Sequence, residues 1–403
     1  MRRLRQNLKS FHPMTNDEKI PFWRDDRFLK ILVQVVIVFI VVTIFVIAGN
    51  NLARNFRRRG LDFSLAFLLD ANRPASFKIG DSLIPYSPTD PYFRALLVGL
   101  LNSLRVMVSG IILAAILGIT VGIGRLSDNW LVRKIAAVYV ETFRNTPLLL
   151  QLFFWYFAIF LRLPKIDNPL VVWDSIFLTN RGMQIPFPSG NLQTWLSLGF
   201  LVLSAILAVI IWRKQTQAIV SQGSSGRAFQ VGSIGIAIAA IFTLIFGLDW
   251  QQPQFDRATN SIEGGLSLSS EFAALTFGLT VYTAAFIAEV VRAGIQSVGK
   301  GQWEAARALG LKPSLIMRLV IFPQALRVMI PPLTSEFLNL AKNSSLAIAV
   351  LYSDIYAISY TISNQTGNAV EMLLVVMATY LILNLMIASL MNWFNRSVQI
   401  KER

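Results

Sequence analysis

The sequence predicts an all-α integral membrane protein with about eight transmembrane helices. Three observations carry this. Of the 403 residues, 54% are apolar; they gather in nearly uncharged runs of about 18 residues or more; and the Lys and Arg fall mostly between those runs. Such a run is long enough to cross a hydrocarbon core of roughly 30 Å, whereas a soluble domain interleaves apolar and charged residues. In lipid the backbone must satisfy its own hydrogen bonds, and runs of this length do so as helices.

The chain opens on a polar tail, residues 1–30, too long and too acidic for the n-region of a cleavable signal peptide. The first span, 31–49, is therefore expected to stay as an anchor. Residues 50–91 form an extracytoplasmic loop rich in turn formers such as Pro85, Pro88 and Pro91. Residues 92–161 carry the second span, Ala95–Gly124, and a third, Leu148–Leu161, entered through a semi-apolar helix over Leu131–Arg144. Residues 162–270 hold the spans Leu196–Trp212 and Val231–Leu248 between two extracytoplasmic stretches. A Gly/Ser/Gln-rich connector, Gln215–Gly226, joins those two spans and reads as a flexible linker. Residues 271–403 contain the last three spans, Phe272–Ile295, Leu333–Leu351 and Val370–Phe394, with a charged loop at 299–332.

The net charge of +15 would suggest nucleic acid on a soluble protein. Here it marks topology and lipid contact, with no nucleic-acid partner, and places both termini in the cytoplasm. Arg54, Arg57, Arg58 and Arg59 oppose this by following the first span directly, but long segments cross the membrane largely regardless of charge. With no cysteine and one histidine, His12 in the polar tail, the chain lacks the residues for a thiolate or His-based metal or catalytic centre.

The most informative stretch is Gln302–Pro332, too charged to cross lipid cheaply. Glu304, Ala305, Ala306, Arg307, Ala308 and Leu309 are good helix formers. Gly310 supplies a left-handed residue to end the turn, and Pro313 prevents simple continuation. A second helix, Ser314–Phe322, is expected to stop near Pro323. The small alanines allow another backbone to approach closely, which suits docking to a partner; an ordinary basic loop with a surface helix is the plainer alternative. The pattern Glu304-Ala305-Ala306, Gly310 and Phe322-Pro323 resembles the EAA loop of ABC importer permeases. Four strings resemble the polar amino-acid branch of that family: YVETFRNTPLLLQLFFWYF from Tyr139, AEVVRAGIQSV from Ala288, PQALRVMIPPL from Pro323 and NLAKNSSLAIAV from Asn339. The long architecture is similar to the larger permease of general L-amino-acid and cyanobacterial neutral amino-acid transporters. One departure is Leu351-Tyr352-Ser353, where relatives often carry Gly-Tyr-Pro.

The resemblance implies a type I permease core at 92–161 and 271–403, with an inserted helical hairpin at 162–270 that short members lack. It implies an inner-membrane location, a second permease subunit, an ATPase dimer gripping the loop through Glu304, Ala305, Ala306, Gly310 and Pro323, and a periplasmic amino-acid-binding protein. The chain has no G-x-x-x-x-G-K-[ST] phosphate loop, so no cofactor is expected in it and ATP is expected on the partner ATPase. An ion-coupled carrier or channel would leave the docking loop unexplained, and a membrane-embedded enzyme would need an acid/base constellation that is not apparent.

Ionisable residues inside a span invite a functional reading. Arg105, after Asn102 and Ser103, is read either as a pathway residue meeting the substrate carboxylate or as an interhelical ion pair. Glu289 and Arg292, three apart, can pair on one helix face and suit a structural or gate role near the cytoplasmic end. Glu336, Asn339 and Asn343 recur at helical spacing and either line a cavity or hold helices together. Phe153–Tyr156 reads as an interfacial anchor.

Overall fold

The computed structural model describes residues 26–58, 63–70, 72–222 and 227–398. Residues 1–65 and 66–403 form two separate units. In the first, α1 (Asp26–Arg58) is a single helix whose large apolar side chains from Ile31 to Ile47 are exposed, as a lipid-facing anchor requires. The polar tail lies outside the described residues.

The second unit begins with a short turn at Ala66–Leu68 and continues into α2 (Tyr92–Gly124), α3 (Trp130–Arg144) and α4 (Leu148–Phe153), which runs on through wide and tight turns to Arg162. Then come β1 (Leu170–Val172), β2 (Ile176–Thr179), β3 (Gly182–Ile185) and β4 (Phe187–Pro188), followed by the helices α5 (Leu192–Gln222) and α6 (Arg227–Phe242). Strands β5 (Trp250–Gln251), β6 (Gln254–Asp256), β7 (Ser261–Glu263) and β8 (Leu266–Ser269) lead into α7 (Ser270–Gln296). The chain ends with α8 (Lys300–Ala308), α9 (Pro313–Ile316), α10 (Phe322–Asn343), α11 (Ile355–Thr366) and α12 (Ala369–Val398). Among the described residues six helical stretches are long and apolar enough to cross a membrane, and Leu148–Arg162 and Val231–Gly247 are shorter apolar helices. Together they occupy the eight regions expected from the sequence.

Helix α7 is the centre of the bundle: 72% of its membrane window is buried, against 6% for α12. It packs on α2 through a stripe of small residues, Ala114, Gly118 and Gly122, while Gly110 on the same helix faces Leu340 of α10. A Cβ added at Gly118 would stand 2.6 Å from Ile287 Cβ, and one at Gly122 would stand 2.7 Å from Val291 Cβ. Without side chains there, the two backbones approach closely, the main source of attraction between helices in lipid. The pairings 118 with 287 and 122 with 291 also show that α2 and α7 run in the same direction.

Two expectations change. The connector at 215–226 is not loop throughout, because α5 continues to Gln222; residues 223–226 lie outside the described residues. The chain does not stop at Pro323. Met317–Ile321 opens into a wide turn, and Pro323 falls in the first turn of α10, where a missing N–H removes nothing from the ladder. Helix α10 then continues through Pro331 and Pro332 to Asn343, since neighbouring groups in a bundle can take up freed carbonyls. The stretches that flank α5 and α6 carry strands. They form an antiparallel sheet in the order β1-β2-β3-β8 and two small pairs, β4-β5 and β6-β7.

Candidate functional site

Helix α8 has two faces. Ala306 is 3% exposed and packs with Val298, Ile316, Ile321 and Ala325, with Trp303 and Leu311 alongside. Glu304, Ala305 and Ala308 are exposed, and Leu309 is 78% exposed at the tip. The two alanines of the Glu304-Ala305-Ala306 string thus face opposite ways. The helix ends in a paired cap: Gly310 N–H donates to Arg307 O at 2.9 Å and Leu311 N–H to Ala306 O at 3.3 Å. Gly310 stands at φ +70°, the left-handed conformation this cap needs at its C′ position. Leu311 folds back on the Ala306 cluster, which is the apolar contact that accompanies such a cap. Pro313 then starts α9. The result is a short helix held on one face and offering the other.

Asn102 and Arg105 come together at the opposite end of α2, around a residue that the sequence did not flag. Asp81, in the loop before α2, has Oδ2 3.8 Å from Arg105 Nη1 and accepts from Ser269 Oγ at 2.5 Å. Asn102 Nδ2 donates to the carbonyls of Asp81 and Ser353, both at 2.9 Å. The Arg105 guanidinium lies 4.1 Å from the centre of the Phe272 ring, and both ion-pair partners are largely covered. The carboxylate beside Arg105 thus comes from a loop and not from a neighbouring helix.

Phe272 is in the first turn of α7, so Arg105 sits at the level where α7 begins, and α2 projects beyond it by the turns Tyr92–Leu104. Beside this node, Asp354 caps α11 by accepting from Ala357 N–H at 2.8 Å and takes a hydrogen bond from the Tyr380 hydroxyl at 3.0 Å. Burial pushes its carboxyl up to about 7.

Glu289 lies 17 residues further along α7 than Phe272, about 25 Å at helical rise. It accepts from Arg125 at the end of α2 and from Arg292 on its own helix, while Arg292 Nη1 also reaches Gln296 Oε1 at 2.6 Å. A cleft of about 350 Å³ opens beside it, lined by Arg125, Glu141, Arg144 and Phe286. The Arg144 guanidinium rests 5.2 Å from the Phe286 ring and interacts electrostatically with both Glu289 and Glu336. Glu336 bonds Asn339, which is exposed, and Asn343 is half-buried one turn on. The predicted polar residues therefore form two groups at different depths. Sequence reading missed Asp81, Arg125 and Arg144 as members. It also missed the α2 stripe, although small residues at 114, 118 and 122 were a readable signal.

A profile of the family described as "Binding-protein-dependent transport system inner membrane component" matches residues 231–400. The chain is 44% identical over 384 residues to the putative amino-acid ABC transporter permease protein YhdX of Escherichia coli (strain K12), covering 93% of this chain and 94% of that protein. It is 42% identical over 386 residues to the general L-amino acid transport system permease protein AapQ of Rhizobium johnstonii, covering 94% of each. Among solved structures it is similar to an amino acid ABC transporter crystallised with histidines, at 20% identity and a TM-score of 0.46, over 76% of this chain and 95% of that one.

Proposed function

The chain belongs to the family of inner-membrane permeases of binding-protein-dependent amino-acid ABC transporters, and from that premise we propose that α8 is the element through which its ATPase drives it. It is a multi-pass inner-membrane permease subunit of an amino-acid importer, and such permeases work in a complex with an ATPase and a substrate-binding protein. The finer assignments are our reading. Both termini face the cytoplasm, as the distribution of Lys and Arg supports. A second permease subunit completes the pathway. ATP is bound and hydrolysed by the ATPase pair, in keeping with the missing phosphate loop, and a periplasmic protein delivers the amino acid to the outer face.

The observation that carries the coupling role is the two-faced geometry of α8. Ala306 anchors it to the cluster that joins α7, α9 and α10, so a push on the exposed Glu304–Leu309 face moves the spanning helices as bodies. Pro323, at the foot of α10, sits where that push enters the long helix. Rigid-body rocking of helices about a fixed pathway is one of the established ways of switching access.

The pathway itself we place on the side of α7 that faces α3 and α10. The α2–α7 seam is closed by the glycine stripe, whereas Glu289 and Arg144 border an open cleft on the other side, and Glu336, bonded to Asn339, interacts electrostatically with Arg144. Asn343 continues that line on α10. Asn102 and Arg105 belong to the outer boundary of the pathway. The test is uptake of labelled amino acid by the complete transporter in proteoliposomes. Glu304→Lys and Gly310→Pro should each abolish uptake while the chain stays in the membrane. Near-normal uptake by both would remove the coupling role.

A further inference from the structure

The inserted hairpin has an inner end that nothing in the sequence pattern connects with α8. Trp212 on α5 meets Arg318, which projects from the wide turn Met317–Ile321 between α9 and α10. The Arg318 guanidinium carbon lies 5.1 Å from the centre of the Trp212 ring, inside the range of a cation–π contact. Its Nη2 also donates to the Trp212 carbonyl at 3.5 Å.

The depths of the two residues agree on independent grounds. Arg213 and Lys214 follow Trp212 at once and mark an inner boundary, where Trp is favoured as an anchor. Arg318 belongs to the basic stretch that also holds Arg307, Lys312 and Arg327. A guanidinium at that level needs a partner that does not draw it into hydrocarbon, and an interfacial indole supplies one.

The contact leads directly to α8. Ile321, three residues after Arg318, is fully buried in the cluster that receives Ala306 from α8. At the outer end, Ser189 Oγ and Asn191 Nδ2 both donate to Asp249 Oδ2, at 2.7 and 2.6 Å, and tie the mouth of the hairpin shut. From there the chain runs through β6 and β7 into β8 and straight on into α7. The hairpin thus reaches from the outer β-strands to the turn beside the coupling helix.

We propose that Trp212 is a positioning residue for the coupling segment: by holding Arg318 it makes the inserted hairpin a strut that sets the resting position of α8. The proposal rests on the coupling role of α8 and adds to it a constraint from a part of the chain outside the permease core. Loss of the indole leaves α8 able to dock but free to move without carrying the spans, so ATP is hydrolysed with less transport.

The experiment uses the complete transporter, with its ATPase and binding protein, in proteoliposomes, and reads amino acid imported per ATP hydrolysed. Trp212→Leu should lower that ratio by about three-fold or more while the ATPase still co-purifies. Trp212→Phe, which keeps a ring, should hold it near the parent value. In an Arg318→Gln background, Trp212→Leu should cause no further loss. An unchanged ratio in Trp212→Leu, or losses that add fully in the double variant, would overturn the proposal. Trp212→Met makes the same comparison should the Leu variant fail to assemble. Gly310→Pro is run in parallel: abolished uptake there with an unchanged ratio in Trp212→Leu sinks the strut alone, whereas normal uptake in Gly310→Pro sinks the coupling reading beneath it.

Discussion

A graded series at Gly310 tests whether the cap on α8 sets coupling. The residue stands at φ +70° with nothing within 4 Å of an added Cβ, so a substituted side chain meets open space and the cost lies in the backbone alone. Asn tolerates the left-handed region and should cost a few tenths of a kcal/mol. Ala should cost about 1 kcal/mol, and Val, branched at Cβ, about 2 kcal/mol. Pro locks φ near −65° and removes the N–H that bonds Arg307 O at 2.9 Å, for about 3 kcal/mol or more. Each 1.4 kcal/mol is roughly a factor of ten in the capped population. Coupled uptake should therefore fall in the order Asn, Ala, Val, Pro, with Asn near the parent and Pro inactive. The assay is initial uptake alongside ATP hydrolysis, with co-purification of the ATPase as a check on assembly. Equal activity in the Val and Asn variants would refute the reasoning, because side-chain volume is irrelevant here and only the backbone separates them.

Gly118→Ala should lower the thermal stability of the purified permease by about 1–3 kcal/mol, because its Cβ would meet the Ala284 carbonyl at 2.9 Å as well as Ile287. Gly235→Ala on α6, with nothing within 4 Å, is the control, and equal melting of the two variants would contradict the sealed seam. Arg105→Ala and Asp81→Ala should reduce uptake to a similar degree, and the double variant should be no worse than either. A rise in KM confined to Arg105→Ala would instead assign that guanidinium to the substrate carboxylate. Asp354, with its carboxyl held up at about 7 against an unfolded value near 3.8, binds its proton more tightly in the folded state. Its contribution to stability is thus complete below about pH 4 and is lost as pH rises through 7. Asp354→Asn should flatten unfolding temperature over that window, and an unchanged slope would dismiss Asp354 as its source.

The long helices were legible because lipid leaves an apolar helix few alternatives, so 18-residue runs mark spans even without a pattern of faces. Gly310 was legible for a local reason: a helix-forming string followed by glycine and then proline has few other solutions. Pro323, Pro331 and Pro332 misled, since in water they would end a helix, whereas here the first falls in an opening turn and the others lie inside a packed one. The strands of the insertion were out of reach because runs of two to four residues are too short to show alternation. Asp81 was unreadable for a different reason. A single loop carboxylate acquires its role only from the distant Asn102, Arg105 and Ser269, and nothing local announces that meeting.

Arg105 shows what span length alone leaves open. A helix of 33 residues is about 50 Å long, some 20 Å more than a hydrocarbon core of roughly 30 Å. The excess equals about 13 residues, the same number as the Tyr92–Leu104 projection beyond the start of α7. Counting inward from the first apolar residue therefore puts Arg105 deep in lipid, while counting from the neighbour it packs against puts it at an outer boundary. The two counts differ because the cost of a guanidinium depends on the surroundings at its depth and not on its place in the run. The surroundings here include a carboxylate from the loop before α2, Asp81. The same reasoning separates Arg105 from Glu289. Each is compensated by charges that its own level makes available, Asp81 at one end and Arg125 with Arg292 at the other, so the α2–α7 pair carries a fixed charge group at both ends, with the contacts of Gly118 and Gly122 against Ile287 and Val291 between them.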